Sequence, residues 1–97
     1  MSLSKQEILN KLSEIKHDLH KKYGVKSIGL FGSYSDNSYN DMSDVDILVE
    51  FEKPIGWSFF NLESELEDNI GKKIDLVTVQ ALKSRIKDNI LNQVIYI

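Results

Sequence analysis

The chain contains no cysteine among its 97 residues, which excludes disulfides, thiolate zinc sites and cysteine nucleophiles. Any metal must therefore be held by oxygen or histidine. It has no apolar run near the roughly 20 residues a membrane span needs, and its opening MSLSKQEI lacks the apolar core of a signal peptide. A cytoplasmic protein with no membrane partner is expected. Basic residues are not in excess: 12 Lys and Arg stand against 15 Asp and Glu, for a net charge of −3. No general electrostatic footprint for nucleic acid follows, and direct nucleic-acid binding is not expected. Repeats, low-complexity stretches and linkers are also missing.

What is present is a soluble composition, 41% hydrophobic and 28% charged, read as a single domain over residues 1–97, near the small end of what buries an adequate core. Ser4 followed by Glu7 forms a capping box, and Ile8, Leu12, Ile15 and Leu19 recur at helical spacing until Lys21, Lys22 and Gly24 close the helix. Val25 to Phe31 reads as a buried strand ending at Gly32. Residues 34 to 43 read as a polar loop with a short helix at Ser33. From Asp44 to Phe51 the alternation is strict, with Val45, Ile47, Val49 and Phe51 on one face and Asp44, Asp46, Leu48 and Glu50 on the other. After Pro54 and Gly56, Phe59, Leu62, Leu66 and Ile70 mark an amphipathic helix ended by Gly71. Lys73 to Val79 gives a third strand. Leu82, Ile86, Ile90 and Val94 place a closing helix over the sheet. The fold class is α/β (α+β): a small three-stranded mixed sheet covered by helices, in the order α-β-(short α)-β-α-β-α.

Asp44 and Asp46, two apart on a strand, project from one face with side-chain origins roughly 6 to 7 Å apart. That separation suits shared ligation of a hard cation such as Mg²⁺. Alone, Asp-x-Asp is a weak signal that more often marks the solvated face of an edge strand or starts it with an Asx turn. Asp75 lies within the apolar run Ile74-Asp75-Leu76-Val77, where an unpaired buried charge is costly. Its partner is either a metal shared with Asp44 and Asp46 or a lysine such as Lys72 or Lys73. Gly32-Ser33 permits close backbone approach to a ligand and offers hydroxyl and amide donors to a phosphate, or is a plain turn with a helix cap. If the first two strands pair antiparallel and a right-handed crossover sets the third parallel to the second, all five residues converge at one end of the sheet.

The stretch GLFGSYSDNSYNDMSDVDILVEF, with Gly-Ser, a ten-residue spacer and Asp-x-Asp, resembles the minimal nucleotidyltransferase (MNT) family of the DNA polymerase β-like superfamily. KKIDLVTVQAL is similar to the segment carrying the family's third carboxylate, and LKSRIKDNILNQVIYI to its closing helix. The resemblance runs from Val25 onward. It implies a nucleotidyltransferase-like fold, metal binding by Asp44 and Asp46, and activation of the attacking hydroxyl by Asp75, which also holds the catalytic one of two Mg²⁺ ions. Gly32 and Ser33 would hold the triphosphate of ATP, and AMP would pass to a hydroxyl. Family members often act as antitoxins beside a HEPN-domain toxin, so the implied acceptor is a partner-protein hydroxyl. One departure stands out: many members continue Gly-Ser with Tyr or Phe, Ala, Arg, Gly, whereas here Tyr34 precedes Ser35, Asp36 and Asn37. An anion replaces a cation near the implied phosphate site.

That departure favours a second reading, a non-catalytic module that neutralises its partner by covering it; three intact carboxylates argue for chemistry. A metal-dependent phosphohydrolase is a third reading that no further residue supports. His17 and His20 read as a solvated helix face, Trp57, Phe59 and Phe60 as core aromatics, and Glu63, Glu65, Glu67 and Asp68 as a solvent-facing surface.

Overall fold

The computed structural model describes residues 3–97. Helix α1, Lys5–Tyr23, starts where Ser4 Oγ accepts the Glu7 N–H at 3.1 Å and stops where Gly24 adopts φ 71°. Ser4 also donates its hydroxyl proton to the Glu7 carboxylate at 3.2 Å. Strand β1, Val25–Phe31, leads through Gly32 into the single turn α2, Ser33–Asp36. Strand β2, Val45–Phe51, is followed by α3, Ser58–Ile70, which Gly71 ends at φ 78°. Strand β3, Ile74–Thr78, runs into a 3-10 turn, Val79–Ala81. Helix α4, Ser84–Gln93, then delivers the chain to β4, Ile95–Tyr96.

The sheet order is β3-β2-β1-β4, with β1 antiparallel to β2 and β4, and β2 parallel to β3. The expected mixed sheet is present. A fourth strand extends it, because the tail turns extended at Val94 and pairs Gly29 with Tyr96 and Leu30 with Ile95. Helices α1 and α3 cover one face. Ile8, Leu12 and Leu19 from α1 and Leu62, Leu66 and Ile70 from α3 meet Ile28, Leu30, Val45, Ile47, Val49 and Leu76 in one cluster. Each fully buried aliphatic side chain there contributes about 2 kcal/mol relative to exposure. The period-2 pattern of β2 thus commits one face to the core and places Asp46 and Glu50 on the other, with the buried Leu48 between them.

The closing helix departs from expectation. Leu82 and Val94 lie outside α4 in extended backbone, Ile86 is 48% exposed, and no residue of α4 is buried. The tail meets the sheet instead at Gly29, where an added Cβ would lie 2.6 Å from Val94 Cγ2.

Candidate active site

Strand pairing brings the predicted residues together. Asp46 stands opposite Phe31, the last residue of β1, on one side and opposite Asp75 on the other. Asp44 precedes β2 by one residue and is exposed, Asp46 is half-buried, and Asp75 is exposed. Gly32 and Ser33 follow Phe31 directly. All five therefore sit at the end of the sheet where β1 finishes and β2 and β3 begin.

The structure corrects the expected environment of Asp75. Its neighbours Ile74 and Leu76 turn into the core, so by alternation its carboxylate emerges on the open face rather than within an apolar run. Nor does a lysine pair with it: among the described residues the one ion pair is Lys22–Glu65 at 2.8 Å.

Gly32 has φ 73° and ψ −149°, a region essentially closed to other residues. A Cβ built on it would lie 2.0 Å from Asp46 Oδ2. The glycine is thus the seat of the Asp46 carboxylate as well as a turn. Beyond it, the Ser35 and Asp36 amides bond back to the Gly32 carbonyl at 3.0 and 3.2 Å, closing α2.

Burial pushes the Asp46 carboxyl up to about 6, reinforced by the Asp75 charge, a hydrogen bond to Asp75, and then the Asp44 charge. Two carboxyl groups placed side by side repel when both are ionised, a repulsion that a divalent cation would relieve, and their hard oxygen donors suit Mg²⁺. The fit lies with the Asp46–Asp75 pair; among the described residues no three acidic or histidine side chains close on a common point.

Asp36 is folded into its own loop. Its Oδ1 accepts the Ser38 N–H at 2.9 Å and the Ser38 hydroxyl at 2.6 Å, and these bonds hold the carboxyl below its ordinary value. The loop is closed further by Asn40, whose N–H reaches Ser43 Oγ at 2.9 Å, and by Met42, whose N–H reaches Asn40 Oδ1 at 2.8 Å.

Other side chains read from the sequence fall differently. His17 and His20 are exposed, and His20 Nδ1 lies 3.0 Å from the Val25 carbonyl. Phe59 packs on the core, but Trp57 is 85% and Phe60 55% exposed. Glu65 is tied to Lys22 and to the Tyr23 hydroxyl, and Glu67 accepts the Ile74 N–H at 3.1 Å, so this acidic run anchors β3 and α1 rather than merely facing solvent. A cleft of about 500 Å³ bounded by Phe51, Ile55, Phe59 and Thr78 opens at the opposite end of β2, away from the carboxylates. A hollow of about 520 Å³ beside the site is lined by Tyr39, Asn40, Asp41 and Met42.

The polymerase beta nucleotidyltransferase model matches residues 13–97. The protein adenylyltransferase MntA of Thermococcus cleftensis is 42% identical over 96 residues, covering 98% of this chain and 97% of that one. By structure the chain is similar to a minimal nucleotidyltransferase, with a TM-score of 0.82 and 23% identity over 96% and 95% of the two chains. It is also similar to a chain of the complex between tri-AMPylated Shewanella oneidensis HEPN toxin and MNT antitoxin, with a TM-score of 0.68 and 22% identity over 95% of this chain and 70% of that one. At those identities the structural likenesses speak for the fold.

Proposed function

We propose that this chain, which belongs to the polymerase β nucleotidyltransferase family, transfers AMP from ATP to a hydroxyl on a partner protein, acting as the antitoxin of a HEPN-domain toxin. The observation that carries this reading is the opposition of Asp46 and Asp75 on parallel strands, with the Gly32 Cα against the Asp46 carboxylate. The relatives' names support the class of acceptor.

In this reading Asp44, Asp46 and Asp75 would hold Mg²⁺, and the bound cation would supply charge stabilisation for an in-line displacement. Asp75 orients the acceptor hydroxyl and takes its proton. The hydroxyl oxygen bonds to the α-phosphorus, the bond from that phosphorus to the bridging oxygen breaks, and pyrophosphate leaves. The Gly32–Ser33 turn would hold the triphosphate, with the Ser33 hydroxyl and amide as donors, while the bare α-carbon of Gly32 leaves room for the Asp46 carboxylate. Asp36 keeps its negative charge, but its carboxylate is fixed within its own loop by Ser38.

Incubation with α-labelled ATP, Mg²⁺ and the candidate HEPN protein tests this. Label on the partner with wild type, and none with Asp46→Ala or Asp75→Ala, is the expected result. Neutralisation of the toxin by both variants, with wild type transferring no label, would instead establish the covering module that Asp36 favours. Release of inorganic phosphate in place of pyrophosphate would mark a hydrolase.

A further inference from the structure

Lys72 belongs to none of the motifs above, yet it touches two of the segments that carry them and begins the third. Its Nζ donates to the main-chain carbonyl of Asp41 at 3.0 Å, in the loop three residues before Asp44. The same ammonium lies 5.8 Å from the centroid of the Tyr34 ring, the residue after Ser33. Its own backbone is three residues before Asp75. Among the described residues Lys72 pairs with no carboxylate, and its side chain is half-buried.

The loop it grips is otherwise closed mainly on itself. Asp36 bonds Ser38 and Asn40 bonds Ser43 and Met42, contacts that shape the loop without fixing it to the body. Tyr34 is fully buried and stacks on Tyr39 at 4.3 Å between centroids, 11° from parallel. Lys5 ties the early part of the loop region to α1, through the Ser35 carbonyl at 3.1 Å and Asn37 Oδ1 at 3.4 Å. The late part, 40–43, has its attachment to the α3–β3 connection in Lys72. A cation over an aromatic face and a charged donor on a carbonyl both hold the loop to this connection.

We propose that Lys72 is a positioning residue: it fastens the spacer loop to α2 and to the approach of β3, so that Asp44 is held beside the Asp46–Asp75 pair. This rests on the reading of the three aspartates as one metal-holding site. Lysine suits the task because a flexible stem carrying several donors reaches a carbonyl and a ring together, whereas a methionine of similar length offers no donor to the carbonyl.

Hydrogen exchange on the metal-free protein and titration with Mn²⁺ alone test the proposal without reference to transfer activity. Lys72→Met, which keeps the stem and removes the charge, is expected to speed exchange about tenfold in 38–45 while α1 and α3 stay at wild-type rates. It should also weaken Mn²⁺ binding about five- to tenfold, and Lys72→Arg should restore most of both. Unchanged exchange in 38–45 would overturn the proposal. So would exchange that rises equally in α1, α3 and the loop, because Lys72 would then serve the fold at large. If wild type binds Mn²⁺ normally but transfers no label, the proposed reaction fails and the role of Lys72 stands.

Discussion

At the scale of single residues, Gly32 and Asp46 form one device. Gly32→Ala meets two obstacles at once: a positive φ that an L-residue resists, and a Cβ that would sit 2.0 Å from Asp46 Oδ2. The left-handed backbone alone costs about 1 to 3 kcal/mol, but the larger effect falls on the carboxylate, which must leave its seat. Label transfer by Gly32→Ala is expected to drop at least about 100-fold, since small displacements of catalytic groups cost on that order, with Tm lowered but the fold retained by circular dichroism. Asp46 yields a pH prediction of definite sign. Its carboxyl is raised from 3.8 to about 6 in the folded protein, so the native state binds this proton more tightly than the unfolded chain. The contribution of Asp46 to metal-free stability is therefore greatest below about pH 4, declines as pH rises through 4 to 6, and is flat above. Asp46→Asn is expected to stabilise the metal-free protein at pH 8 by about 1 kcal/mol, discounted for the group's partial access to solvent, and to confer nothing at pH 3.5. Urea titrations at the two pH values in the presence of chelator read this directly.

At the scale of elements, the period of β2, the helix ends and the strand pairing that gathers the five residues were legible, while the path of the tail and the reach of Lys72 were not. The strict alternation of β2 located Asp44 and Asp46 on one face, and the glycines after α1 and α3 marked both helix ends where they occur. The same alternation applies to β3, yet its apolar letters suggested a buried Asp75; Ile74 and Leu76 take the core side and leave the aspartate to the open face. The tail misled for a related reason. Leu82, Ile86, Ile90 and Val94 have helical spacing, but pairing with β1 draws Val94 to Tyr96 into extended backbone, so tertiary contact overrides period. No local pattern shows that Lys72 reaches Asp41, 31 residues away. Gly29 is the element-level test: its added Cβ would strike Val94 Cγ2 at 2.6 Å and approach the Ile95 carbonyl and Tyr96 Cδ1 at 3.1 Å each. Gly29→Val is expected to cost about 1 to 3 kcal/mol by overpacking. Hydrogen exchange should show faster amides at 95–97 while Leu12 and Leu62 keep wild-type protection.

At the scale of the whole molecule, the acidic cluster links folding to ligand. A net-negative chain of 97 residues that gathers three carboxylates at one sheet end carries self-repulsion there, which a bound divalent cation offsets. Any ligand favouring the native state adds RT ln(1 + [L]/Kd), about 2.7 kcal/mol at a hundredfold excess over Kd. For a domain of this size each kcal/mol moves Tm by about 4 to 8 °C. Magnesium at pH 8 is therefore expected to raise Tm by about 10 °C or more once the site is saturated. At pH 5 the same concentration competes with the proton held at Asp46, whose carboxyl titrates about 6, and the gain should shrink by at least half. Asp46→Asn should abolish the pH dependence of the gain, and Asp44→Asn should weaken the gain at pH 8 while reducing its pH dependence, because the Asp44 charge helps hold the proton at Asp46. Differential scanning calorimetry of the three proteins with Mg²⁺ and with chelator separates these outcomes. Equal shifts in all three would place the cation away from the aspartates and remove the metal from the proposed chemistry.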